Sequence, residues 1–110
     1  MPAVHPIAVK SPGRYRSNSV RPAASGPSAA DPVHHLFLVV AQLNSTLSPN
    51  GGSTVLVYNE HGKLVEYING FSFLNADTVI IPHLAVNPSK RLGYVNGPWP
   101  SFNELQGFTY

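Results

Sequence analysis

Residues 55–68, VLVYNEHGKLVEYI, decide the fold of this chain. Val55 and Val57 alternate with Leu56 and Tyr58, and Val65 and Tyr67 alternate with Leu64 and Ile68. That period of 2 is what a pleated strand imposes, with successive side chains on opposite faces. Between the two runs, Asn59-Glu60-His61-Gly62 has the chemistry of a hairpin loop. Asn starts turns readily, and Gly62 takes the positive φ that a type I turn followed by a bulge requires. The stretch therefore predicts two antiparallel strands and an all-β chain.

Upstream, residues 36–41 are a near-continuous apolar run. The run is too short for a membrane span of about 20 residues, and its Phe and Val content favours a strand buried on both faces. The loop of residues 44–53 follows, in which Pro49 and Asn50-Gly51-Gly52 end the strand, and Thr54 starts the next. Downstream, Asn69-Gly70 turns the chain into FSFLNADTVIIP, within which residues 78–81 are a candidate extended piece. Strands are expected at 83–86, 92–95 and 105–110, separated by Asn87-Pro88-Ser89 and by the loop Asn96-Gly97-Pro98-Trp99-Pro100. No stretch is long and apolar enough to span a membrane as a helix.

A chain of 110 residues has room for one ordinary domain. Charged residues make up only 11%, against roughly 25% in typical domains, and 11 prolines and 9 glycines punctuate it. Many turns and few long amphipathic helices follow from that composition. With no cysteine, neither a disulfide framework nor a thiolate nucleophile or metal site is open to the protein. Residues 1–31 hold Pro, Ser, Ala and Arg without a recurring apolar period, and read as a disordered basic leader to a β domain spanning residues 32–110. Its Arg- and Ser-rich, acid-poor composition is shared by organelle transit peptides and by plain flexible leaders, and the compartment stays open. Lys10, Arg14, Arg16 and Arg21 give residues 1–30 a charge of +4, whereas the remainder carries three basic residues against five acids. The folded part is thus mildly acidic, which argues against nucleic acid as a partner.

The order strand, loop, strand occurs twice: LFLVVAQL with TVLVYN, and RLGYVNG with LQGFTY, about 50 residues apart. Such spacing is a mark of propeller blades and related arrays. The run VLVYNEHGKLVEYI, then HLAVNPSKRLGYVNGP, then ELQGFTY resembles β-propeller proteins of the lactonase, surface-layer and NHL-like type. Tyr58, Asn59, Gly62 and Lys63 match the turn into the outer strand, and Ala85 to Ser89 with Tyr94 and Val95 match the start of a following blade. The resemblance covers residues 33–110 and implies antiparallel hairpins in a meander, about one and a half blades of an incomplete propeller. A small self-sufficient meander, barrel or sandwich of five or six strands is the alternative. If the blade reading holds, the strands at 36–41 and 105–110 lack a neighbour, and self-association or a protein partner at those strand edges is expected.

Chemistry is sparse. His34 and His35 are adjacent and cannot both ligate one metal from a regular strand. The resemblance places His83 at the head of an innermost strand, with Asn87 and Asn96 nearby, so these three and Trp99 are the candidate binding residues. Trp99, Phe102, Phe108 and Tyr110 form either a binding edge for a sugar or peptide, or packing. The acids are not grouped at ligand spacing, so no catalytic residue, metal or cofactor is assigned. Asn44-Ser45-Thr46 fits a glycosylation sequon. The expected function is a non-catalytic binding or scaffolding module, with a remnant or subunit of a propeller hydrolase of the lactonase type as the alternative.

Overall fold

The hairpin forms around a single side chain. Asn59 Oδ1 accepts from the amides of His61 at 2.9 Å and Lys63 at 3.0 Å, and the Asn59 carbonyl accepts from Gly62 N–H at 3.0 Å. Gly62 takes φ 77°, the left-handed conformation that the absence of a Cβ makes cheap. The strands on either side, Ser53–Asn59 and Leu64–Ile68, pair antiparallel with a register shift at Val57/Tyr58. The computed structural model describes residues 4–8, 10–11, 22–43 and 52–110.

In chain order the strands are β1 (Val4–Ala8), β2 (Lys10–Ser11), β3 (Pro22–Asp31), β4 (Leu36–Leu43), β5 (Ser53–Asn59), β6 (Leu64–Ile68), β7 (His83–Asn87), β8 (Leu92–Asn96) and β9 (Leu105–Thr109). They form two sheets, β2-β6-β5-β4-β3 and β1-β9-β8-β7, antiparallel except where β1 runs parallel to β9. Among the described residues there is no α-helix, and the fold is all-β. No helix among the described residues is long and apolar enough to cross a membrane.

Both sheets contribute to one core. Leu38 and Val40 of β4, Val55 and Val57 of β5 and Ile68 of β6 cluster with Val95 of β8 and Phe108 of β9. The period of 2 puts Ala41, Leu56, Leu64 and Tyr67 on the opposite face, where they form a second buried cluster. At its centre the larger sheet is thus buried on both sides. In β8 and β9 the outward row is half-exposed instead, with Tyr94 at its middle and the inward Gly93 lying directly opposite Phe108. A Cβ on Gly93 would collide with the tip of the Phe108 ring, so this position is glycine because the ring occupies the space.

Three features differ from the sequence reading. Pairing begins upstream of the boundary expected at residue 32, because β3 runs from Pro22 to Asp31 and pairs with β4; the rest of the leader, apart from β1 and β2, lies outside the described residues. At Gly26 the strand passes close to its neighbour: a Cβ there would meet Ile80 Cγ2 at 2.6 Å. That segment has too few apolar residues to signal a strand. Residues 78–81 form no strand, since Asn75 sits at φ 67° and its carbonyl accepts from Thr78 N–H and Val79 N–H, making a turn. Finally, β4 lies between β3 and β5, and β9 between β8 and β1, so neither of these strands leaves the open edge expected of it.

Candidate functional site

The candidate residues fall at one end of the smaller sheet, with one exception. His83 opens β7 and lies directly opposite Asn96 at the end of β8. Asn96 Nδ2 donates to the Phe102 carbonyl at 3.2 Å, fixing the loop that carries Trp99. From the other side, Asn75 Nδ2 donates to the Trp99 carbonyl at 3.3 Å. Within the loop, Ser101 N–H reaches the Pro98 carbonyl at 2.6 Å, Glu104 N–H the Ser101 carbonyl at 2.9 Å, and Gly97 N–H the Glu104 carbonyl at 3.1 Å. Pro98 and Ser101 are buried beneath it. Asn87 is the exception: four residues along β7 it is about 13 Å from His83, and its Oδ1 accepts from Ser89 Oγ at 2.8 Å. Asn44 lies outside the described residues.

On this tied loop the Trp99 side chain is 73% exposed and Phe102 58%. Leu74, next to the Asn75 that holds Trp99, is also exposed. Phe108 and Tyr110, the other two aromatics considered for a binding edge, are buried and belong to the core. Sequence reasoning singled out Trp99 but missed Asn75, whose role depends on a contact 24 positions away in the chain. Residues 96–103 and 71–76 carry no charged side chain, so this surface is apolar and amide-rich.

A second cluster sits where β3 ends. Asp31, fully buried, accepts from Tyr110 Oη at 2.6 Å and from the His34 amide at 2.9 Å, and its Oδ2 lies 2.8 Å from His34 Nδ1. Burial pushes the Asp31 carboxyl up, but Tyr110 and the two His34 contacts outweigh it and hold it at about 2. The Tyr110 hydroxyl is raised by burial and by the carboxylate beside it. Arg91, left-handed at φ 48°, places its guanidinium 5.1 Å from the Tyr110 ring centroid and donates from Nε to the Tyr110 carbonyl at 2.6 Å. The cluster ties β3 in one sheet to the end of β9 in the other. His34 and His35 part company here: His34 turns to Asp31, while His35 Nδ1 lies 3.6 Å from Glu60.

Among the described residues no three His, Asp or Glu side chains converge to hold a metal ion. Compared with protein families, curated proteins and solved structures, the chain matches none.

Proposed function

We propose that this protein is a non-catalytic binding module of propeller-like build, and that the Trp99 loop is its contact surface. The observation that carries the reading is the combination of exposure and fixation at residues 96–104. Two large aromatic side chains stand in solvent on a loop whose backbone is held by Asn75, Asn96 and three internal hydrogen bonds. Aromatic anchors on a preorganised loop contribute most to binding, because little conformational freedom remains to be lost on association.

The propeller-like part of the proposal is supported by strand order. β3, β4, β5 and β6 form an antiparallel meander of four, and β7, β8 and β9 one of three, with the leading strands β3 and β7 in contact. Consecutive blades have that arrangement, with leading strands innermost. A parallel β1 on β9 is the feature of the sheet that the blade pattern leaves unexplained.

The test uses Trp99, the chain's one tryptophan. Ligands are selected from a displayed peptide library and a glycan array, then titrated while the indole emission is followed. Selected ligands should shift that emission and should fail to bind the Trp99→Ala/Phe102→Ala variant, with its circular dichroism unchanged. Ligands that bind the variant as well as the parent would remove the loop from the function.

A further inference from the structure

We infer that the surface around the Trp99 loop takes an uncharged saccharide chain built of pyranoses with equatorial hydroxyls. The inference rests on the loop being the contact surface and names its ligand. Charge narrows the class first. Residues 71–76, 83–87 and 92–103 contain no Asp, Glu, Lys or Arg, and Asp77 and Glu104, which follow the first and last of these stretches, are acids. A phosphate, sulfate or uronate meets no cation there, and the loss of its hydration goes uncompensated.

The backbone disfavours a peptide bound as an added strand, which is held by main-chain hydrogen bonds. Gly97, Ser101 and Glu104 spend their N–H groups inside the loop, and Pro98 and Pro100 have none. What the loop offers instead is rings and side-chain amides. Trp99 and Phe102 stand in solvent. Asn75 and Asn96 each give one amide hydrogen to the loop, and a primary amide has a second hydrogen and an acceptor oxygen. His83, exposed and opposite Asn96 in register, adds an imidazole at the same end of the sheet. A pyranose with equatorial hydroxyls matches both parts. Its axial C–H bonds make a flat face that packs on the electron-rich face of an aromatic ring. Each hydroxyl at its rim both donates and accepts, as an amide does. A polyproline segment also brings flat apolar rings, but it has only carbonyl acceptors and leaves the amide oxygens without a donor.

The experiment titrates the whole ¹⁵N-labelled chain with cellopentaose, with its β-linked glucuronate counterpart and with decaproline. The Trp99 indole N–H and the side-chain amides of Asn75 and Asn96 are followed, and cellopentaose should shift all of them saturably. The glucuronate chain should bind about tenfold more weakly. Trp99→Ala, at an exposed position, should weaken cellopentaose binding about tenfold, read at the asparagine amides. No saturable shift with cellopentaose, or equal affinity for the glucuronate chain, would overturn the inference. If decaproline moves the indole resonance and cellopentaose does not, the loop remains the contact surface and its ligand is a peptide, which overturns the inference alone. Cellopentaose that binds Trp99→Ala as tightly as the parent would overturn the inference and remove the loop from the function with it.

Discussion

Tyr110 and Asp31 lie 79 positions apart in the chain, yet the Tyr110 hydroxyl donates to Asp31 Oδ2 at 2.6 Å with both side chains buried. This contact joins the end of β3 to the end of the β8–β9 hairpin, and so joins the two sheets. Tyr110→Phe removes the donor and leaves a buried carboxylate oxygen short of one partner. A hydrogen bond to a charged group is worth about 1.5–3 kcal/mol, so urea unfolding should show a loss of about 2 kcal/mol. Loss of under half a kilocalorie per mole, by the same measurement, would mean that water replaces the hydroxyl freely.

The same cluster sets a dependence on acid. Asp31 is held at about 2 in the folded chain, below its ordinary value of 3.8. Folding therefore favours the ionised form, and the stabilisation is complete above about pH 4 and disappears as pH falls through 2. Thermal melts between pH 5 and pH 2 should fall more steeply for the parent than for Asp31→Asn. Parallel curves for the two would show that other groups govern the acid limb.

Gly62 and Glu60 sit two residues apart on the hairpin turn and should respond differently to substitution. No atom lies within 4 Å of where a Gly62 Cβ would stand, so the cost of Gly62→Val is purely one of backbone conformation at φ 77°. Left-handed geometry costs a residue with a Cβ about 1–2 kcal/mol, and chemical denaturation should report that loss. Glu60→Ala should stay within about 0.5 kcal/mol, the usual range for an exposed site. Equal losses at the two positions would place the strain somewhere other than the turn.

How much of this was legible in the sequence depends on where the signal lies. β5 and β6 were readable because Val55–Val57 and Leu64–Ile68 alternate and Asn59 and Gly62 have turn chemistry of their own. β7 to β9 followed from the turns at Asn87-Pro88 and Asn96-Gly97. β3 was not readable, since its Ala, Ser and Gly residues leave no apolar period, and Gly26 is small where Ile80 comes close. His83 and Asn96 could be named as candidates, but their opposition across β7 and β8 is a matter of register, which short hairpins do not spell out. Asp31 stood at the edge of a tail by composition. Its place in the core depends on Tyr110, and no local pattern links residues that far apart.

The shared core makes a last prediction about cooperativity. Phe108 fills the space above Gly93, with Phe71 edge-on to it at 6.0 Å and Tyr110 tilted against it at 6.3 Å, so neighbouring rings crowd any shift of it. Gly93→Ala forces the ring or β8 to move, an overpacking that costs about 1–3 kcal/mol. Phe108 belongs to the same cluster as Val40, Val55 and Val57 of the other sheet. If the two sheets unfold together, the substitution should speed amide exchange in β4 and β5 as much as in β8 and β9, although it touches neither β4 nor β5. Central amides of β5, paired on both sides by β4 and β6, should remain the slowest in the chain. Faster exchange confined to β7, β8 and β9 would show instead that each sheet is its own folding unit, with the common core closing only after both have formed.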